Sequence, residues 1–253
     1  GRGTATFMVA GKACTRGCRF CAVDTIRNPP PPDEDEPAKL ADAIHRMGLT
    51  YSVITVVNRD DLEDGGASHY KRCIDAVHDK CPYVGLELLC SDLSGNIKAL
   101  EKLLTNSPLT VFAHNVETVR RLTPRVRDPR ATFDQSLLIL RKAKELRPDI
   151  ITKSSIMLGL GETEEDLLES FEELRNADVD LLTLGQYLSP GSRYHPVMSF
   201  PTPETFDRLA QVAKEMGFKA IASGPMVRSS YRAESLVSAA RGENFDLLLK
   251  VVA

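Results

Sequence analysis

Seven short runs rich in β-branched and apolar residues recur along the chain: 4–10 (TATFMVA), 52–57 (SVITVV), 85–90 (GLELLC), 110–115 (TVFAHN), 151–158 (ITKSSIML), 181–187 (LLTLGQY) and 219–223 (KAIAS). Stretches able to form helices lie between them, and apolar runs joined by crossover helices imply a parallel sheet covered by helices. Leu40, Ala43, Ile44 and Met47 fall at i, i+3, i+4 and i+7, as do Tyr70, Cys73, Ile74 and Val77, so both segments predict amphipathic helices. The later gaps hold IKALEKLL, FDQSLLILRKAKEL, TEEDLLESFEELRNA and PETFDRLAQVAKEM, each long enough for a crossover. This period predicts an α/β fold, a partial (βα)6 TIM-like barrel of parallel strands with outer helices. It fills a single domain over 1–253, with a C-terminal extension from about 219. In such barrels chemistry collects on the loops after the C-terminal ends of the strands. The four prolines at 29–32 and the acidic run 33–36 read as a rigid connector into the first helix.

A length of 253 residues suits one large domain, and 32 Lys plus Arg against 35 Asp plus Glu leaves a formal charge of −3. No global basic field exists to recruit nucleic acid, and no apolar run is long enough to span a bilayer. The sequence opens GRGTATF, without an initiator Met or a leader pattern, and so reads as a trimmed chain. Six cysteines stand at 14, 18, 21, 73, 81 and 90, three of them within eight residues, a clustering that suits a metal site in a reducing compartment better than a disulfide framework.

Cys14, Cys18 and Cys21 form a C-x-x-x-C-x-x-C motif, which at this cysteine frequency arises by chance about 0.003 times per chain. Three thiolates can hold three corners of an iron–sulfur cubane and leave the fourth iron open. Tetrahedral zinc would be a ligand short, because the nearest histidine, His45, lies beyond the proline run.

The loop CTRGCRFC after a first strand resembles the radical S-adenosylmethionine enzymes. Together with VNRDDLEDGGASH, FAHNVETV, RVRDPRATFDQSL, TKSSIMLGLGET, LTLGQYLSP and ASGPMVRSSY it resembles the lipoyl synthase family along nearly the whole chain. The resemblance implies a sulfurtransferase that inserts sulfur at C6 and C8 of a protein-bound octanoyl chain to form lipoyl. Its implied cofactors are a 4Fe-4S cluster on Cys14, Cys18 and Cys21 and S-adenosyl-L-methionine on the open iron, whose reductive cleavage yields a deoxyadenosyl radical. Phe20 would pack near the adenine; Asn58, Arg59 and Asp60 would meet the polar end of the cofactor at the barrel mouth. Asn115 and Glu117 would reach the ribose, Gln186 the adenine, and Arg127 the carboxylate, while Arg120 and Arg121 read as a solvated face. Gly159 and Gly161 would offer backbone amides to a ligand, or else form only a tight turn.

In the family RSSY supplies a serine to one corner of a second, auxiliary cluster. That role falls to Ser230, with Ser229 as the fallback and Arg228 as its supporting cation. The three cysteines completing that cluster lie upstream of the first strand in the family and have no counterpart in this chain. Cys73, Cys81 and Cys90 read as core thiols. The expectation is therefore a fragment carrying one cluster where a complete enzyme has two. Implied partners are octanoylated lipoyl-carrier domains or H protein, an electron donor such as ferredoxin or flavodoxin, and an iron–sulfur carrier, with the enzyme itself a monomer. Bacterial cytoplasm and mitochondrial or plastid matrix both fit. The rival readings are another radical enzyme that inserts sulfur or transfers methylthio groups, and a zinc-stabilised binding module.

Overall fold

A computed structural model describes residues 3–242. The strands are β1 (Thr4–Val9), β2 (Ala13–Cys14), β3 (Asp24–Thr25), β4 (Tyr51–Val56), β5 (Gly85–Leu89), β6 (Val111–Ala113), β7 (Ile151–Leu158), β8 (Leu181–Gln186) and β9 (Ala220–Gly224). The helices are α1 (Glu36–Met47), α2 (Ala67–Lys80), α3 (Ile97–Leu104), α4 (Thr123–Val126), α5 (Phe133–Leu146), α6 (Glu164–Asn176), α7 (Pro203–Glu215) and α8 (Ala233–Ala240). All seven predicted strands join one sheet in the order β1-β4-β5-β6-β7-β8-β9, every neighbouring pair parallel. The sheet thus has one strand more than a six-unit barrel, because Ala220–Gly224 pairs along its whole length with β8 as β9. Among the described residues no helix is long and apolar enough to cross a membrane.

Period-two alternation sorts the strand side chains onto two faces. Ile54, Leu86, Leu88 and Phe112 pack outward with Leu40, Ile44, Ile74, Val77, Leu100 and Leu103 of α1, α2 and α3. Ile156, Leu158, Leu182 and Leu184 do the same with Leu140, Phe171, Leu174, Phe206 and Leu209 of α5, α6 and α7. Each fully buried aliphatic side chain of this kind contributes on the order of 1.5–3 kcal/mol. The other face is concave. Tyr51, Val53, Val111, Ile151, Leu181 and Ala222, drawn from strands across the sheet, meet Leu236 and Val237 of α8 in one apolar cluster.

The local signals explain the helix boundaries. Thr132, Asn96 and Thr202 each accept an amide hydrogen bond as the N-cap of α5, α3 and α7, and Thr163 with Asp166 forms a reciprocal capping box on α6. One predicted stripe residue is displaced: Met47 is 57% exposed. The packed face of α1 runs instead through Pro37, Leu40, Ala41 and Ile44, and the helix stops directly after Met47 at Gly48, φ +60°. The second stripe holds, with Tyr70, Cys73, Ile74 and Val77 all buried.

Candidate active site

The cysteine loop lies at the C-terminal ends of the strands and is sutured to the loops that follow β4, β5, β6 and β8. Arg16 lies at its centre. Its guanidinium forks onto Asp60, with Nη2 at 2.7 Å, and its Nη1 meets Asp92 Oδ2 at 2.6 Å, the Arg16 side chain being 1% exposed. Burial pushes the Asp60 carboxyl up, but the Arg16 guanidinium and the Thr15 hydroxyl outweigh it and hold it well below the usual carboxylate range. From the loop after β6, Asp128 accepts the Gly17 amide at 2.9 Å, Val126 O accepts the Arg19 amide at 2.8 Å, and Arg130 Nη2 donates to Thr15 O at 2.6 Å. The Asp128 carboxyl is pushed up by burial yet drawn down to about 2 by Arg130 and the Gly17 amide. Beyond β8, the His195 amide donates to Arg19 O at 2.8 Å.

Two of the three thiols in this loop accept backbone amides. Cys14 Sγ accepts from the Arg16 and Asn58 amides at 3.4 and 3.3 Å, and Cys18 Sγ from the Asp128 amide at 3.3 Å. Such N–H···S bonds stabilise thiolate and tune a cluster bound to it. Without metal, burial pushes the Cys18 thiol up to about 11, against the pull of the Asp128 amide and Arg127. Metal uptake must therefore displace protons. The other three cysteines cannot supply a second trio: Cys73, Cys81 and Cys90 are buried at separate points of the core.

A cavity of about 300 Å³ opens beside the loop, walled by Phe20, Leu89, Asn115, Glu117, Ser155, Met157, Gln186, Tyr187, Arg228 and Ser229 among others. Asn115 Nδ2 donates to Glu117 Oε1 at 3.1 Å, and burial raises the Glu117 carboxyl against the opposing effects of Arg127 and Asn115. Gln186 Nε2 donates to the carbonyls of Tyr187 and Ser199. Gly185 has no room for a side chain, because a Cβ there would lie 2.2 Å from Val227 O. This close approach seats the turn in which the Tyr231 amide donates to Arg228 O at 2.8 Å. Ser229 reaches the cavity wall; Ser230, next in the turn, does not line it. One inward layer below the cavity, Lys153 and Glu87 form a fully buried ion pair at 2.7 Å, with Tyr51 donating to Glu87.

Arg127 is 8% exposed, and its Nη1 donates to Ser136 Oγ at 2.7 Å. Its Nε is buried with no hydrogen-bond partner among the described residues, close to Cys18 and Glu117 but behind the cavity wall, which Arg127 does not line. His114 lies against the same Ser136 hydroxyl at 3.0 Å and bonds Cys90 O through Nδ1 at 2.9 Å. Burial and the Arg127 charge push the His114 imidazole down to about 4. The unfolded chain, near 6.5, therefore takes up this proton first, and the stability is present above pH 6.5 and lost as pH falls toward 4. At about 1.4 kcal/mol for each pH unit across that window, wild type should lose up to about 3 kcal/mol more than His114→Gln. Denaturant titrations at stepped pH measure this, and parallel curves for the two proteins would contradict it.

Three expectations need correction. Arg59 does not face the cavity: its guanidinium is bound by Asp61 and by Ala10 O, and it is 1% exposed. Asp60 likewise holds the cysteine loop, through Arg16 and Thr15, while the backbone of Asn58 meets Cys14 and Thr15. The amide of Gly159 is closed off, because Glu162 Oε1 accepts it at 2.6 Å and Oε2 takes the Leu160 amide at 2.9 Å. Gly159 (φ +97°) and Gly161 (φ +106°) thus form a tight turn, in which a Cβ on Gly159 would strike Ser199 O. Arg120 and Arg121 make exposed ion pairs with Glu173, Asp134 and Asp166. The brace of Arg16, Asp92, Asp128 and Arg130 was missed; its only sequence signal is the charge density of RVRDPR.

This constellation on a parallel barrel defines the class, and a profile of the radical SAM superfamily matches residues 8–174. Solved structures share the fold: methylornithine synthase has a TM-score of 0.65 at 15% identity, covering 87% of this chain and 64% of that one. Streptococcus suis SuiB bound to S-adenosylmethionine has a TM-score of 0.65 at 9% identity, covering 91% and 52%. Sequence relatives are closer. The lipoyl synthase of Thermus thermophilus is 53% identical over 232 residues, which cover 92% of this chain and 72% of that protein. The mitochondrial lipoyl synthase of Bos taurus is 53% identical over 230 residues (91% and 62%), and the chloroplastic one of Arabidopsis thaliana 53% over 236 (93% and 60%). The chain belongs to the lipoyl synthase family. It spans between 42% and 62% of the length of several curated relatives that it matches.

Proposed function

We propose that this barrel binds a 4Fe-4S cluster through Cys14, Cys18 and Cys21 and S-adenosylmethionine in the adjoining cavity, and that the whole protein inserts sulfur at C6 and C8 of a protein-bound octanoyl chain. The observation that carries the proposal is one loop presenting three thiols, two of them accepting backbone amides, at the edge of a cavity that Phe20 and Glu117 wall. When bound, the cluster supplies one electron to the sulfonium of the cofactor, giving an oxidant able to take hydrogen from an unactivated carbon.

The protein positions. Phe20 offers a ring face to the adenine, and Asn115, Glu117 and Gln186 offer hydrogen bonds to its polar edges and ribose. The RSSY turn stands on the far wall, with Arg228 and Ser229 in the lining and Ser230 beside them, the serine assigned to an auxiliary cluster. A hydroxyl is a poor iron ligand next to thiolate, so it marks a labile corner. Lipoyl-carrier domains are the substrates this reading implies, with a low-potential donor as reductant, and a bacterial cytoplasm or an organellar matrix as the compartment.

Anaerobically reconstituted protein supplied with dithionite and S-adenosylmethionine should release 5′-deoxyadenosine, followed by chromatography and mass spectrometry. Absence of deoxyadenosine from iron-loaded protein would overturn the proposal.

A further inference from the structure

The turn joining β1 to the cysteine loop is held in an unusual form. Ala10 sits at φ +69° and Gly11 at φ +98°. Glycine adopts such angles freely, but a residue with a Cβ stays there only where its surroundings hold it. Both polar groups of Ala10 are held. Its amide donates to Glu36 Oε2 at 2.7 Å, and its carbonyl accepts from Arg59 Nη1 at 3.1 Å.

Each holder is itself held. His69 Nε2 lies 2.5 Å from Glu36 Oε2, and Arg72 Nη2 lies 3.2 Å from His69 Nδ1. A guanidinium has only donors, so Nδ1 accepts and Nε2 carries the proton that Glu36 receives. On the other side, Arg59 Nε and Nη2 fork onto Asp61 at 2.8 and 2.7 Å. His69 is 3% exposed. Glu36, His69 and Cys73 place ligand atoms within 4.8 Å of one another, yet they make a poor metal site. The Nε2 lone pair is occupied by its proton, and burial pushes the Cys73 thiol up to about 12.

Cys14 follows this turn by three residues, and the segment that grips the Ala10 carbonyl also presents the Asn58 amide to Cys14 Sγ. We propose that Glu36 and Arg59, backed by His69 with Arg72 and by Asp61, are positioning residues that lock the Ala10–Gly11 turn and so aim Cys14 at the place where Cys18 and Cys21 share a cluster. The proposal rests on the cluster reading above. None of these side chains lines the cavity. The lock draws on the ends of β1 and β4 and on α1 and α2, so it closes only when the first half of the barrel has packed.

In metal-free protein, Glu36→Ala should speed amide hydrogen exchange in peptide 8–14 by about tenfold or more while α6 and α7 keep wild-type protection. After reconstitution the same variant should show a heterogeneous electron paramagnetic resonance signal with S-adenosylmethionine and a KM for it raised about tenfold. Adding Ala10→Gly should return spectrum and KM toward wild type, because glycine holds the turn without a clamp, while exchange stays fast because the acceptor is still missing. His69→Gln gives a milder version of each effect should Glu36→Ala fail to fold. Unchanged exchange in peptide 8–14, or no rescue by Ala10→Gly, would overturn the lock. Exchange is measured without metal, so wild-type protein that takes up no iron would defeat the cluster reading and leave this result standing.

Discussion

Cys18→Ala is expected to abolish deoxyadenosine formation and to lower iron from about four per chain to less than one after reconstitution. Cys18 has Cys14 and Cys21 on the same loop, and no other cysteine of the chain can replace it: Cys73, Cys81 and Cys90 are buried in the core. The fold should survive, because Cys18 contributes only an accepted bond from the Asp128 amide to the tertiary structure. Circular dichroism and the denaturant midpoint, compared with those of metal-free wild type, separate loss of the cluster from loss of the fold. Retained deoxyadenosine formation by Cys18→Ala would argue against the cluster assignment.

Arg16→Leu should be the most destabilising single change in the site. Arg16 neutralises Asp92, whose side chain is fully buried, and Asp60, which is 16% exposed. Removing it leaves Asp92 buried without its cation, a loss of about 3–5 kcal/mol, whereas Asp60 keeps Arg130 Nη1 at 3.3 Å. Burial would then raise the Asp92 carboxyl, and the cysteine loop would lose its direct tie to the loop after β5 while keeping the Thr15 contacts to Asn58 and Asp60. Combining Arg16→Leu with Asp92→Asn should recover part of that loss, because one stranded charge is then gone. Denaturant midpoints of the single and double variants measure it. A single variant within about 1 kcal/mol of wild type would show that the brace is not holding the loop.

Much of the barrel could be read from sequence because its signals are local. A strand such as SVITVV or ITKSSIML declares itself by composition, and the amphipathic stripe of α2 by the spacing of Tyr70, Cys73, Ile74 and Val77. Cys14, Cys18 and Cys21 were equally plain, since three ligands on one loop need no tertiary information. Where the reading failed, the deciding partner was distant or concealed. Arg59 looks like a mouth residue until β1 brings the Ala10 carbonyl to it from 49 positions away. Gly159 looks like an anion-binding turn until Glu162 folds back and takes its amide. Glu36 reads as an acid placed for the dipole of α1, yet its carboxylate also meets Ala10 and His69. Asp128 and Arg130 grip residues more than a hundred positions away, a relation that no spacing rule encodes.

The most direct test of the central claim is the iron and acid-labile sulfide content of anaerobically reconstituted protein, read with the electron paramagnetic resonance spectrum of the reduced form before and after S-adenosylmethionine is added. About four irons and four sulfides per chain, with a spectrum that shifts on addition, is the predicted result. Zinc without sulfide, or a cluster whose spectrum ignores S-adenosylmethionine, would contradict it.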